Sequence, residues 1–223
     1  MKKLIRGIVE FRKNVRPGYR EMFKRLASGQ APDALFIACS DSRVVPNLFA
    51  SSEPGDLFVV RNVGNIIAPC GEDGRSVGAE AEAAAIEFST LALDVSDIIV
   101  CGHSECGAMR ALLDRRDALL APHLCAWLRH AEAALRKVDD GVRMNADLPL
   151  HNHLSQLNVL EQMEHLRTYP IVRDREGAGR LKLHGWWFDI AMAEVLAFEE
   201  TQGRFVVIDE DEGARIVERL GER

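Results

Sequence analysis

Two short apolar runs, ALFIA at 34–38 and LFVV at 57–60, each follow a turn signal, Pro32-Asp33 and Pro54-Gly55-Asp56. Unbroken apolar stretches of that length suit strands buried on both faces. A third, DIIVCG at 97–102, has the same character. Between the second and third, AEAEAAAIEFSTLAL at 79–93 places its larger apolar residues at helical spacing. The first thirty residues also read as helix: LIRGIVEF, an interruption at Pro17, then GYREMFKRLA. Helical pattern returns over 104–120, with Ser104 as N-cap and Glu105 in the first turn, then from Pro122 to Val138 and at 153–168. Near the C-terminus, LKLHGWWFDI, AEVLAF and RFVVID read as strands, with a short helix between the first two.

Strands alternating with helices predict an α/β fold: a mostly parallel central sheet flanked by helices. One domain over 1–223 is expected, with 1–30 as a helical arm and 31–223 as the core. Sheets of this kind take ligands outside the carboxyl ends of their strands. Cys39 stands at the end of the first strand, and His103 and Cys106 stand just past the third. The pattern therefore brings three residues distant in sequence to one edge.

Composition narrows the possibilities. A hydrophobic share of 47% and a charged share of 28% are those of an ordinary globular chain of 223 residues. The net charge of −6 argues against broad binding to nucleic acid or an anionic membrane. No stretch reads as a transmembrane span, and MKKLIRGIVEFRKN lacks the uninterrupted apolar segment of a signal peptide. A cytoplasmic location is expected. The five cysteines are an odd number without a disulfide framework, which leaves them as core residues, metal ligands or nucleophiles.

The chemistry concentrates in Cys39-Ser40-Asp41-Ser42-Arg43 and in Cys101-Gly102-His103-Ser104-Glu105-Cys106-Gly107. Two thiolates and one imidazole form a set that zinc favours, and three protein ligands leave a fourth position for water. Zinc lowers the pKa of such a water to about 7 in favourable sites. Asp41 beside Arg43 stays ionised and can accept the hydrogen of a zinc-bound hydroxide, with Arg43 holding the carboxylate through paired bonds. Released by Arg43, Asp41 could instead become a conditional fourth zinc ligand and switch the site off.

At these residues the chain resembles the β-class carbonic anhydrases. ACSDSR at 38–43, PGDLFVVRNVGN at 54–65, IEF at 86–88, CGHSECGAMRALL at 101–113 and LHGWWFDI at 183–190 match family segments in order. The resemblance implies reversible hydration of CO2 to bicarbonate and a proton, with Zn2+ on Cys39, His103 and Cys106 and with Asp41 and Arg43 as the catalytic dyad. It also implies Gln30 as a substrate-binding residue and Phe58 and Val63 as apolar pocket residues. It further implies a site built at a dimer interface, N-terminal helices extending onto a partner subunit, and a homodimer, tetramer or octamer. Phe88 stands where many members have tyrosine. Phe36 and Ala38 replace the tryptophan and glycine of the subgroup regulated by bicarbonate. The plant-like subtype is therefore expected, with Asp41 off the zinc.

Other readings carry less. A serine hydrolase elbow at Ser104 would need a small residue where Cys106 stands. A zinc alcohol dehydrogenase would need a G-x-G-x-x-G, and the chain has none. A structural zinc protein would show a closed four-ligand pattern. Carbon disulfide or carbonyl sulfide hydrolysis on the same scaffold would look identical at this level. Cys70, Cys101 and Cys125 read as core. His151 and His153, two apart on a helix, read as a solvated helix start rather than a ligand pair.

Overall fold

The computed structural model describes residues 1–78, 80–114, 121–145 and 147–221. Helices α1 (Lys2–Glu10) and α2 (Arg16–Leu26) precede β1 (Ala34–Cys39), α3 (Pro46–Phe49), β2 (Leu57–Asn62), α4 (Glu80–Glu87) and β3 (Asp97–His103). After them come α5 (Gly107–Leu113), α6 (Pro122–Leu128), α7 (Glu132–Asp139), α8 (Leu150–Arg167) and α9 (Pro170–Gly177). Strands β4 (Lys182–Asp189), β5 (Glu194–Glu199) and β6 (Arg204–Val207) and helix α10 (Glu210–Leu220) finish the chain.

The sheet runs β2-β1-β3-β4-β5-β6. Its first four strands are parallel, and β5 and β6 join as antiparallel hairpins. The expected α/β architecture is thus the one found. Every residue of β1 is buried, which explains its unbroken apolar run. Leu35, Ile37, Ile98 and Val100 pack on one face with Val159, Met163 and Leu166 of α8. Phe36, Ile99 and Cys101 turn to the other face, where Phe36 meets Trp186 edge-on and Phe49 stacks on Phe188.

Several elements differ from the sequence expectation. Pro17 does not break the N-terminal helix: residues 11–15 widen into a π-turn, and Pro17 sits in the first turn of α2, where its missing N–H is not needed. The described part of the 104–120 helix starts at Gly107 with Cys106 as N-cap, not at Ser104; residues 115–120 lie outside the described residues. Ser104 instead uses its hydroxyl to accept from the Ile190 N–H at 2.8 Å. No helix separates β4 from β5. Asp189 pairs with Glu194 across a tight turn, and its carboxylate accepts the N–H groups of Ala191 and Met192. Helices α9 and α10 were not foreseen; α10 is capped by Asp209, whose carboxylate accepts from the Glu212 N–H at 2.8 Å.

Helix α8 is the surprise of the core. Its sequence mixes polar and apolar residues with no clean stripe, yet Asn152, His153, Ser155, Gln156, Asn158 and Gln162 are all buried beside its leucines. It lies close against the sheet because two strand positions facing it are glycine. A Cβ on Gly102 would stand 2.7 Å from Val159 Cγ2, and one on Gly185 would stand 3.0 Å from Met163 Sδ. Gly102→Ala should therefore lower stability by about 1–3 kcal/mol, the usual penalty of overpacking. Urea unfolding followed by circular dichroism measures it, and an unchanged midpoint would show that α8 can shift freely.

Candidate metal centre

The parallel register sets Ala38 beside Cys101, so β1 and β3 end together with Cys39 and His103 as their last residues. The chain then turns through Glu105, held in the left-handed region at φ +58°, and Cys106 arrives as the N-cap of α5. Potential ligand atoms of Cys39, His103 and Cys106 all lie within 4.8 Å of one another, and all three residues are buried. The Asp41 carboxylate is not part of that group.

The imidazole of His103 shows what the cluster could hold. Its Nδ1 lies 2.8 Å from the Ser104 carbonyl oxygen. Donation from Nδ1–H to that oxygen fixes the tautomer and leaves the Nε2 lone pair free. Nε2 is buried and has no hydrogen-bond partner among the described residues. A buried polar atom left so is uncommon and unfavourable unless a ligand completes it. The sulfurs agree. The Cys39 thiol is drawn down, chiefly by a hydrogen bond from Cys106, against burial that pushes it up. The Gly64 N–H, 3.3 Å from the sulfur, pulls it down further. Cys106 moves the other way, because it gives that hydrogen bond and is itself buried. One thiolate is thus already favoured. Two sulfurs and one imidazole nitrogen suit a borderline-soft cation such as zinc.

Asp41 and Arg43 stand at the rim. Asp41 Oδ1 accepts from Arg43 Nε at 2.9 Å and from its backbone N at 3.0 Å, and Oδ2 accepts from Nη2 at 2.7 Å. The Arg43 guanidinium holds the carboxyl well below the usual carboxylate range. The same Nη2 reaches the Glu105 carbonyl at 3.1 Å, tying the dyad to the turn between the ligands.

Residues that sequence reasoning missed hold this framework. Arg61, one register step from the end of β2, donates to the carbonyls of Cys39 and Asp41 at 2.9 and 2.6 Å. Its charge directly after the apolar run LFVV was the available signal. Ser155 Oγ donates to the His103 carbonyl at 2.8 Å and accepts from Trp187 Nε1 at 3.0 Å. Asn152 Oδ1 accepts from the Glu105 N–H at 2.8 Å. The H-x-H pair is not a solvated helix start: His153 is buried, and His151 Nε2 lies 2.9 Å from the Glu105 carboxylate, which also pairs with Arg110. Of the cysteines expected in the core, Cys101 is fully buried while Cys70 and Cys125 are only partly so.

The remaining expected residues divide. Val63 lies beside Gly64, at the cluster's edge, and is 45% exposed. Phe58 pairs in register with Leu35, four residues before Cys39 or roughly 13 Å along the strand. Gln30 is exposed and precedes β1, at the opposite edge of the sheet from the cluster. Within one chain, Gln30 and Phe58 therefore do not join the cluster.

Known proteins account for this arrangement. A family model described as carbonic anhydrase matches residues 34–195. The chain belongs to the β-carbonic anhydrase family. It is 41% identical over 217 residues to a carbonic anhydrase of Pseudomonas aeruginosa, covering 97% of this chain and 96% of that one. The solved β-carbonic anhydrase CcaA shares 43% identity and superposes with a TM-score of 0.85, over 93% of this chain and 98% of that one. A tetrameric β-carbonic anhydrase of Sordaria macrospora is 28% identical with a TM-score of 0.69, over 88% and 92%. Hydration of carbon dioxide is the general reaction of these enzymes, and membership makes this chain an enzyme of that kind.

Ser155→Ala would strip the His103 carbonyl and the Trp187 indole of a shared partner. A loss of about 1–3 kcal/mol is expected from leaving buried polar groups unpaired. Denaturant titration reads it, and a loss within experimental error would mean that water or a neighbour replaces the hydroxyl.

Proposed function

We propose that Cys39, His103 and Cys106 hold one zinc ion and that the chain uses it to hydrate CO2 reversibly to bicarbonate and a proton, with Asp41 and Arg43 as the catalytic dyad. The observation that carries this reading is the buried Nε2 of His103, without a hydrogen-bond partner among the described residues and set against two buried sulfurs. When bound, zinc supplies the Lewis acidity that lowers the pKa of a coordinated water and makes hydroxide available near neutral pH.

The chain's own residues do the rest. Asp41, kept anionic by Arg43, offers the attacking oxygen an acceptor and so orients its lone pair toward the carbon of CO2. Because its carboxyl titrates below the usual range, this acceptor persists through the neutral range and is lost only under strong acid. Arg43 has both carboxylate oxygens engaged and anchors to the Glu105 carbonyl, so Asp41 stays off the metal. Val63 gives the apolar substrate a non-polar wall beside Cys39. Phe36, buried against Trp186, and Ala38, also buried, occupy the positions of the tryptophan and glycine of the bicarbonate-regulated subgroup, which supports the plant-like subtype without a bicarbonate inhibition site.

Gln30 and Phe58 serve the site of a second copy in this reading. They stand at the edge of the sheet away from their own cluster, and the arm of residues 1–30 has apolar side chains with nothing beneath them. No residue of α1 or α2 is buried, while Leu4, Ile5, Ile8, Phe11 and Phe23 are each more than 40% exposed. Helices this short are marginal in water without a surface to cover. A partner subunit supplies that surface, in a homodimer or a larger homo-oligomer such as the tetramer of the Sordaria enzyme. The five cysteines form no disulfide, which fits a reducing cytoplasm.

Stopped-flow CO2 hydration with zinc quantified in the same sample tests the whole reading. One zinc per chain and fast hydration are expected. Cys106→Ser should lose the metal; a fully metallated, active variant would remove Cys106 from the ligand set. Asp41→Asn should keep zinc and lose about 100-fold in kcat, and near-normal turnover would remove Asp41 from the mechanism.

A further inference from the structure

The Gly64 backbone N–H lies 3.3 Å from Cys39 Sγ, and the backbone at Asp41 supports the same sulfur. The other end of the Val63–Gly64 peptide is also occupied. The Val63 carbonyl accepts from the indole Nε1 of Trp127, on α6, at 2.7 Å. An N–H donor on the oxygen and an acceptor on the nitrogen polarise one amide in the same direction, so each bond strengthens the other by about 10–30%. The peptide cannot easily turn away. Gly64 has φ +82°, and a Cβ there would stand 3.0 Å from that of Ala108. Its own carbonyl is fixed by the buried Asn158 Nδ2 at 3.0 Å, and Asn158 is fixed in turn by Gln162 at 2.9 Å.

We propose that Trp127 is a positioning residue for Cys39, acting through the Val63–Gly64 peptide. Its indole N–H aims and strengthens the amide donation to the sulfur, and so limits the negative charge that Cys39 gives to a bound metal. This rests on the zinc reading above. Outer partners of metal ligands tune a site in this way, by orienting the ligand and setting its donor strength. Trp127 packs against the apolar cluster that includes Cys39 and Cys106; its ring lies edge-on to His130, and its polar tip reaches the Val63 carbonyl.

Cobalt(II) in place of zinc gives a direct readout, because thiolate-to-cobalt charge transfer moves to longer wavelength as the sulfur becomes richer in charge. The parent protein is compared with Trp127→Phe and with a variant carrying benzothienylalanine at 127, which keeps the bicyclic shape and lacks only the N–H. Both are expected to move the band to longer wavelength. A band that stays in place in both overturns the proposal. A band that moves with phenylalanine but not with benzothienylalanine also overturns it, because the effect is then ring packing. No thiolate band in the parent would bring down the metal reading and this proposal together, an outcome distinct from an unmoved band.

Discussion

Helix α8 supplies the polar groups on which the candidate site depends. Asn152, Ser155, Asn158 and Gln162 project from a helix buried on almost every side, and each takes a backbone group of a segment that carries or adjoins a ligand. Glu105, His103, Gly64 and Ile67 are the recipients. These backbone groups sit at strand ends and in left-handed turns, where no ladder or helix can satisfy them. Left unpaired, each would cost about 1–3 kcal/mol. The same helix therefore closes the hydrophobic core against Leu35, Ile37 and Val100 and fixes the geometry of the ligand loops. Glycine at 102 and 185 makes both possible, because it lets α8 come near enough for short polar side chains to reach.

Given that scaffold, the charges arrange themselves around two opposing demands. A buried pair of sulfurs disfavours negative charge, yet a metal needs thiolate. The Gly64 N–H and the proton shared from Cys106 ease the first charge, and a dication would stabilise both. At the rim, Asp41 must stay anionic near these sulfurs. Arg43 makes that possible with three hydrogen bonds to one carboxylate, two from its guanidinium and one from its backbone. Arg43 donates to the Glu105 carbonyl and so joins the rim to the turn between His103 and Cys106.

The arm and the far edge of the sheet tell a complementary story. One chain supplies the sulfurs, the imidazole and the dyad at the carboxyl edge, and supplies Gln30 and Phe58 at the other. Apolar side chains along α1 and α2 have no cover from their own core. Under the proposed reading the two edges carry two halves of one pocket, and together with the uncovered arm they make association part of both folding and activity.

Much of the site was legible in the sequence. Apolar runs at 34–38 and 97–102 located two buried strands, and the parallel-sheet rule put their carboxyl ends on one edge, so Cys39, His103 and Cys106 came together before any coordinates. Asp41 and Arg43 lie two residues apart, and a pair that local is readable from spacing and charge. What sequence could not supply was any contact whose meaning depends on distant backbone. Ser155, Asn158 and Gln162 look like solvent-facing helix residues, since a polar side chain is unremarkable until the carbonyl or N–H it serves is known to be buried beside it. The H-x-H pair was misjudged for that reason: Glu105 reaches His151 only because the turn before Cys106 adopts a left-handed conformation. The residue types and their order determined the ligand set and the edge it occupies. The tertiary structure decided which polar groups hold that set still, because buried hydrogen bonds pair groups by position in space rather than by spacing along the chain.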